Sequence, residues 1–132
     1  MADVSIVVVS HSRQLGEGLV KLLRQLAPGV DLHQAAGLGE ELGTDATAVA
    51  AALQQCPETN DILVFFDLGS AAMNAEMALE LTPQSVAGRT HIVDAPLVEG
   101  AVAAAVAARS RLPVADVIQQ AEAARTVPKI LS

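Results

Sequence analysis

Short apolar runs alternate with segments of helical period along this chain, and that alternation constrains the fold more than any other feature. Strands are expected at about 3–9, 30–36, 62–66 and 90–94, and helices at about 14–26, 45–55, 71–81, 97–109 and 113–125. The runs Val4-Ser5-Ile6-Val7-Val8-Val9 and Ile62-Leu63-Val64-Phe65-Phe66 are almost wholly apolar, as strands covered on both faces require. Val30 to Ala36 instead mixes apolar and polar residues, which suits a half-exposed edge strand. Repeated βαβ units of this kind predict a parallel α/β sheet. One domain over residues 1–132 is expected, since no composition break or repeat divides the chain.

Local signals set the ends of these elements. In the first helix Leu15, Leu19, Leu22, Leu23 and Leu26 fall on one continuous apolar stripe, and Pro28-Gly29 stops it. Gly16 and Gly18 leave the first turns of that helix uncrowded, open to a partner's backbone. Thr44 is the expected N-cap of the second helix and Ser70 of the third, while Pro113 suits the first position of the last.

Two strand ends hold the residues able to do chemistry. In a parallel sheet, ligands collect at the carboxyl ends of the strands, above all at the topological switch point. The first strand ends in Ser10-His11-Ser12 and the third in Asp67-Leu68-Gly69-Ser70. A carboxylate accepting from Nδ1–H would fix the imidazole tautomer of His11 and leave Nε2 as an outward nucleophile. Asp67 is the residue placed to do so. The turns Gly69-Ser70 and Gly43-Thr44 each pair a glycine with a hydroxyl at a helix start, and can aim N–H groups at an anion. Phosphoryl transfer through a histidine is the expected chemistry, with Ser10 and Ser12 in support.

Composition excludes several rivals. A net charge of −7 offers no basic patch to a phosphate backbone, and 2% aromatic residues supply no stacking platform, so no nucleic acid is expected. No window is apolar for long enough to span a membrane, Met1-Ala2-Asp3 begins no secretory leader, and the lone Cys56 forms no internal disulfide. A cytoplasmic protein is therefore expected. The loop Gly37-Leu38-Gly39-Glu40-Glu41-Leu42-Gly43 misses the dinucleotide spacing by one residue and follows the second strand, and there is no P-loop. Ser10 and Ser12 lack a nucleophile elbow. His33 and His91 show no metal-ligand spacing with each other or with Cys56, so neither a metal nor a cofactor is expected.

Four short motifs, in order, carry a family resemblance: Val9-Ser10-His11-Ser12, Leu42-Gly43-Thr44-Asp45, Asp67-Leu68-Gly69-Ser70-Ala71, and Ala95-Pro96-Leu97-Val98-Glu99-Gly100-Ala101. Over about residues 3–125 the chain resembles the DhaM family, the phosphotransferase subunits of bacterial dihydroxyacetone kinases. Their domain is similar to the mannose-type IIA domains of the sugar phosphotransferase system, which implies a doubly wound, mainly parallel four-stranded α/β sheet of order 2-1-3-4 with helices on both faces. The resemblance implies that His11 is the phosphorylated histidine and Asp67 its orienting partner. It implies a histidine phosphocarrier protein as donor, charged from phosphoenolpyruvate through enzyme I. It implies ADP bound in the DhaL subunit as acceptor, DhaK as the subunit served indirectly, and a homodimer. Some relatives carry further phosphocarrier-like and enzyme I-like domains, which these 132 residues do not include. Rival readings are a sugar-transporting IIA component and a non-catalytic α/β signalling module.

Overall fold

The structure, a computed structural model, describes residues 3–130. Four parallel strands form the sheet: β1 (Val4–Ser10), β2 (Asp31–Ala36), β3 (Asp61–Phe66) and β4 (Thr90–Ile92), in the order β2-β1-β3-β4. Six helices connect and cover them: α1 (Arg13–Leu26), α2 (Ala46–Gln55), α3 (Gly69–Glu80), α4 (Gln84–Ala87), α5 (Leu97–Arg109) and α6 (Val114–Ala123).

The period of two along β1 divides its side chains between two apolar layers. Val4, Ile6 and Val8 face α1, α5 and α6, where they meet Leu19, Leu23, Ala101, Ala104, Val117 and, from β3, Leu63 and Phe65. Val7 and Val9 face α2 and α3 with Val49, Leu53, Ile62, Val64, Ala71 and Ala75. Right-handed crossovers explain the split. The chain moves one way from β1 to β2, so α1 lies on one face. It then moves the other way from β2 to β3 and on to β4, which puts α2 and α3 on the opposite face. The direction reverses between β1 and β3, whose carboxyl ends therefore flank an open crevice.

Several local expectations are corrected. The leucine stripe of α1 is divided: Leu19 and Leu23 are buried, while Leu15, Leu22 and Leu26 stay about two-fifths exposed. Gly16 is not an open turn. A Cβ there would come within 2.5 Å of the Ala36 Cβ and 2.6 Å of the Gln34 Oε1, so its hydrogen lets α1 settle against β2. Gly18 does face open space. Asp45, rather than Thr44, caps α2 by accepting from the Thr47 N–H at 3.0 Å. Helix α3 begins at Gly69, so Ser70 lies inside its first turn and Leu68 takes the capping position with no side-chain bond. Pro113 occupies the capping position of α6 rather than the first helical one, its carbonyl accepting from Val117 N–H. The short α4 after Pro83 has too few residues to leave a period in the sequence. Strand β4 ends at Ile92, though Val93 still donates to the Val64 carbonyl at 2.9 Å.

Candidate functional site

The crevice between β1 and β3 holds His11 and Asp67, each the first residue beyond its strand. Adjacent strand ends bring them into contact although 56 positions separate them in the chain. His11 Nδ1 lies 2.9 Å from Asp67 Oδ1. Its other ring nitrogen, Nε2, lies 2.7 Å from the Ser70 hydroxyl at the exposed side of the crevice.

Asp67 is the hub. Its Oδ2 accepts from the His11 backbone N–H at 2.9 Å and from the Ser10 hydroxyl at 3.0 Å, and its Oδ1 from the Leu68 N–H at 2.7 Å. Burial pushes this carboxyl up, but the bonds from the backbone and ring of His11, from Ser10 and from Leu68 together hold it below the ordinary aspartate value. An ionised carboxylate accepts only, so Nδ1 must carry the proton and donate. In the neutral ring Nε2 then holds a lone pair, which can accept from the Ser70 hydroxyl at 2.7 Å. The imidazole thus presents a nucleophilic nitrogen to the surface, ready to take an electrophile once Ser70 rotates away.

The serines beside His11 have separate tasks. Ser10 is fully buried, donates to Asp67 and accepts from the Ser12 N–H at 3.1 Å. Ser12 caps α1 by accepting from the Leu15 N–H at 3.2 Å. Gly69 and Ser70 lie at an uncapped helix N-terminus next to Nε2, where free N–H groups and the helix dipole favour an anion.

Gly43 and Thr44 do not form the anion turn expected of them. The Gly43 N–H is spent on the His11 carbonyl at 2.8 Å, and the Thr44 hydroxyl accepts from Asn74 Nδ2 on α3 at 2.5 Å. Gly43 has φ of +146°, and a Cβ there would meet the Leu38 Cδ1 at 2.5 Å. Both residues therefore fasten the 37–43 loop beneath His11 and against α3. Gly37 N–H, bonded to the Ser10 carbonyl at 3.0 Å, fastens its other end. Arg13 at the start of α1 pairs with Glu40 of the loop at 2.7 Å. Leu42 and Leu68, next in the chain to Gly43 and Asp67, are each more than half exposed, apolar side chains beside a polar centre.

Residues 5–118 match the family model described as the PTS system fructose IIA component. The chain belongs to that family. Its curated relatives place it among the DhaM-like IIA domains. It is 42% identical over 105 residues to the phosphoryl donor subunit DhaM of PEP-dependent dihydroxyacetone kinase 2 from Listeria innocua, covering 78% of this chain and 84% of that protein. Against the phosphoryl donor subunit DhaM of Escherichia coli K12 it is 40% identical over 120 residues, 87% of this chain but 25% of that protein. The chain thus spans about a quarter of the length of its enterobacterial relatives. A crystal structure of EF1359, a protein of unknown function, shares the fold with a TM-score of 0.85 and 28% identity, covering 92% of this chain and 94% of that one.

Sequence spacing missed two features of this IIA domain. Asn74, one turn into α3, ties that helix to Thr44, and nothing in the local pattern marks it out. His33 and Cys56, far apart in the chain, are brought together with Asp31 at the other end of the sheet. His91 pairs with Asp61 at 3.3 Å on the β4 edge. No helix is long and apolar enough to cross a membrane among the described residues.

Proposed function

We propose that His11 accepts a phosphoryl group at Nε2 from a phosphorylated histidine phosphocarrier protein, ultimately from phosphoenolpyruvate, and passes it to ADP held in a DhaL subunit. The ATP formed would serve the dihydroxyacetone kinase to which DhaK also belongs. The single observation that supports this reading is the pairing of His11 Nδ1 with Asp67 at 2.9 Å, which leaves the Nε2 lone pair at the surface.

In the first step that lone pair attacks phosphorus in line. The N–P bond of the donor breaks, and its electron pair returns to the donor imidazole. As the new bond forms, positive charge develops on the His11 ring, and the Asp67 carboxylate stabilises it. The Ser70 hydroxyl and the first N–H groups of α3 are within reach of the phosphoryl oxygens and compensate their charge. In the second step a β-phosphate oxygen of ADP takes the group, and the electron pair returns to Nε2. Neither step calls for a metal or cofactor held by this domain.

The exposed Leu42 and Leu68 beside the site suit visiting proteins more than a small sugar. The acidic net charge would steer partners with a basic face and release them quickly. The names of the DhaM relatives, phosphoryl donor subunits, favour this route over sugar transport. An acyl phosphate on Asp67 is disfavoured, because both its oxygens are already engaged by donors. The half-exposed leucines 15, 22 and 26 along α1 offer a face for pairing as a homodimer. A cytoplasmic location follows from the same reading.

Intact-mass measurement tests the route. Incubation with phosphoenolpyruvate, enzyme I and phosphocarrier protein should add one phosphoryl group, lost in acid and stable in base. Addition of DhaL loaded with ADP should remove it. His11→Ala should fold and acquire no label. Acid-labile label retained on that variant would take His11 out of the mechanism.

A further inference from the structure

At the amino ends of the strands, away from His11, the fold gathers polar side chains that phosphoryl transfer does not use. Ser5 on β1 is fully buried, and Asp31 at the start of β2 is its ladder partner. Paired residues of a parallel ladder point to the same side, and two residues further along β2 this side also receives His33. Helix α2 ends over the same face at Cys56, which is buried. One ligand atom from each of Asp31, His33 and Cys56 lies within 4.8 Å of the other two.

We propose that Asp31, His33 and Cys56 form a site for one zinc ion, with the fourth position left to water. Thiolate, imidazole and carboxylate together are a donor set for zinc, whereas magnesium and calcium want oxygen alone. A tetrahedral zinc ion with sulfur at about 2.3 Å and nitrogen or oxygen at about 2.0–2.1 Å keeps its ligand atoms roughly 3.3–3.7 Å apart. The 2.8 Å bond between His33 Nε2 and Asp31 Oδ2 has to open a little, while the thiol, within 4.8 Å of both atoms, has to settle in the same range. Both His33 and Asp31 are only partly buried, so rotation of their side chains supplies that motion.

Hydrogen bonds that would steady the carboxylate are already in place. The Ser5 hydroxyl donates to Asp31 Oδ2 at 2.7 Å, and Asn60 Nδ2 donates to Ser5 Oγ at 3.1 Å. Relays of this kind hold ligating carboxylates in position. A cavity of about 520 Å³ is lined by Asp31 and Asn60, so the Asp31 end of the cluster opens to solvent. Its two arginines are engaged elsewhere, Arg109 with the Leu26 carbonyl and Arg111 with Asp3. Binding forms a zinc–sulfur bond as the S–H bond breaks, and the proton leaves to solvent. Burial pushes the Cys56 thiol up, a cost offset by the charge of the ion itself. The bound ion would clamp the edge strand β2 to the end of α2. Strand β2 leads directly into the loop that backs His11, yet the clamp is independent of the chemistry there.

Cobalt and zinc titrations of the reduced, EDTA-stripped protein test this site. Cobalt should give thiolate charge-transfer absorption in the near ultraviolet with visible bands of a four-coordinate ion. Zinc should displace them at one equivalent and raise the Tm by several degrees. Cys56→Ser should lose the charge-transfer band, and His33→Gln should weaken zinc at least about tenfold. His11→Asn should change neither. Cys56 is in the core, so if its variant does not fold, the part-exposed His33→Gln still decides the matter. Absence of the thiolate band, an unmoved Tm, or unchanged zinc affinity in His33→Gln would each overturn the proposal.

Discussion

Replacing Asp67 with Asn keeps the shape of the side chain and removes only its charge and half its acceptors. The two carboxylate oxygens receive two donors each: Oδ1 from the His11 ring and the Leu68 N–H, Oδ2 from the Ser10 hydroxyl and the His11 N–H. An amide has one oxygen, so its NH₂ group must face one of these pairs. If it replaces Oδ2, Ser10 can turn to accept but the His11 N–H cannot. If it replaces Oδ1, Leu68 N–H is orphaned and His11 can accept at Nδ1 only by moving its proton to Nε2, which removes the nucleophilic lone pair. Each orphaned donor costs about 1–3 kcal/mol, and each lost bond to a charged acceptor about 1.5–3 kcal/mol. Part of this is recovered by water at the crevice, and a loss of about 2–4 kcal/mol in folding stability is expected. Control of the tautomer is worth about 10²–10⁴-fold in rate in comparable histidine chemistry. Phosphoryl uptake should therefore fall by that factor, measured from phosphocarrier protein by rapid quench and intact mass. Long-range nitrogen–proton NMR should show the Nδ1–H tautomer in the wild type and a mixture in Asp67→Asn. A wild-type ring protonated at Nε2, or an unchanged transfer rate in the variant, would refute the orienting role.

Other tests are simpler. Because the folded Asp67 carboxyl lies below its unfolded value of about 3.9, its contribution is complete above that pH and fades as pH falls through the folded value. The stability gap between wild type and Asp67→Asn, read from urea midpoints, should narrow on acidification from about pH 5 to pH 2; a constant gap would contradict this. Ser70→Ala should slow phosphoryl uptake by about 3–10-fold, the worth of one hydrogen bond, and shift stability by less than about 0.5 kcal/mol. An unaltered rate would leave Ser70 a bystander. Gly16→Ala gains up to about 1 kcal/mol of helix propensity but must overcome contacts at 2.5 and 2.6 Å, with about 1–3 kcal/mol of overpacking, so it should destabilise. Gly18→Ala, facing open space, should stabilise by about 0.5–1 kcal/mol, and equal effects from the two would refute the packing account.

Periodicity by itself determined the architecture, because backbone hydrogen bonding and burial impose periods that are written locally. The apolar runs of β1 and β3 required a sheet covered on both sides, and right-handed crossovers then left few strand orders. His11 and Asp67 were legible because each stands where an apolar run stops, and the sheet order makes those stops neighbours. The roles of Gly43 and Thr44 were not. A glycine beside a hydroxyl reads alike in both turns, and only the packed loop shows that Gly43 N–H is taken by His11, whereas Gly69-Ser70 does lie beside Nε2. The division of the α1 leucines likewise depends on where α5 and the sheet leave off. The strand period already puts Asp31 and His33 on one side of β2, but tertiary structure alone brought Cys56 to them, since the placement of α2 on the sheet sets that distance and is not encoded in sequence spacing.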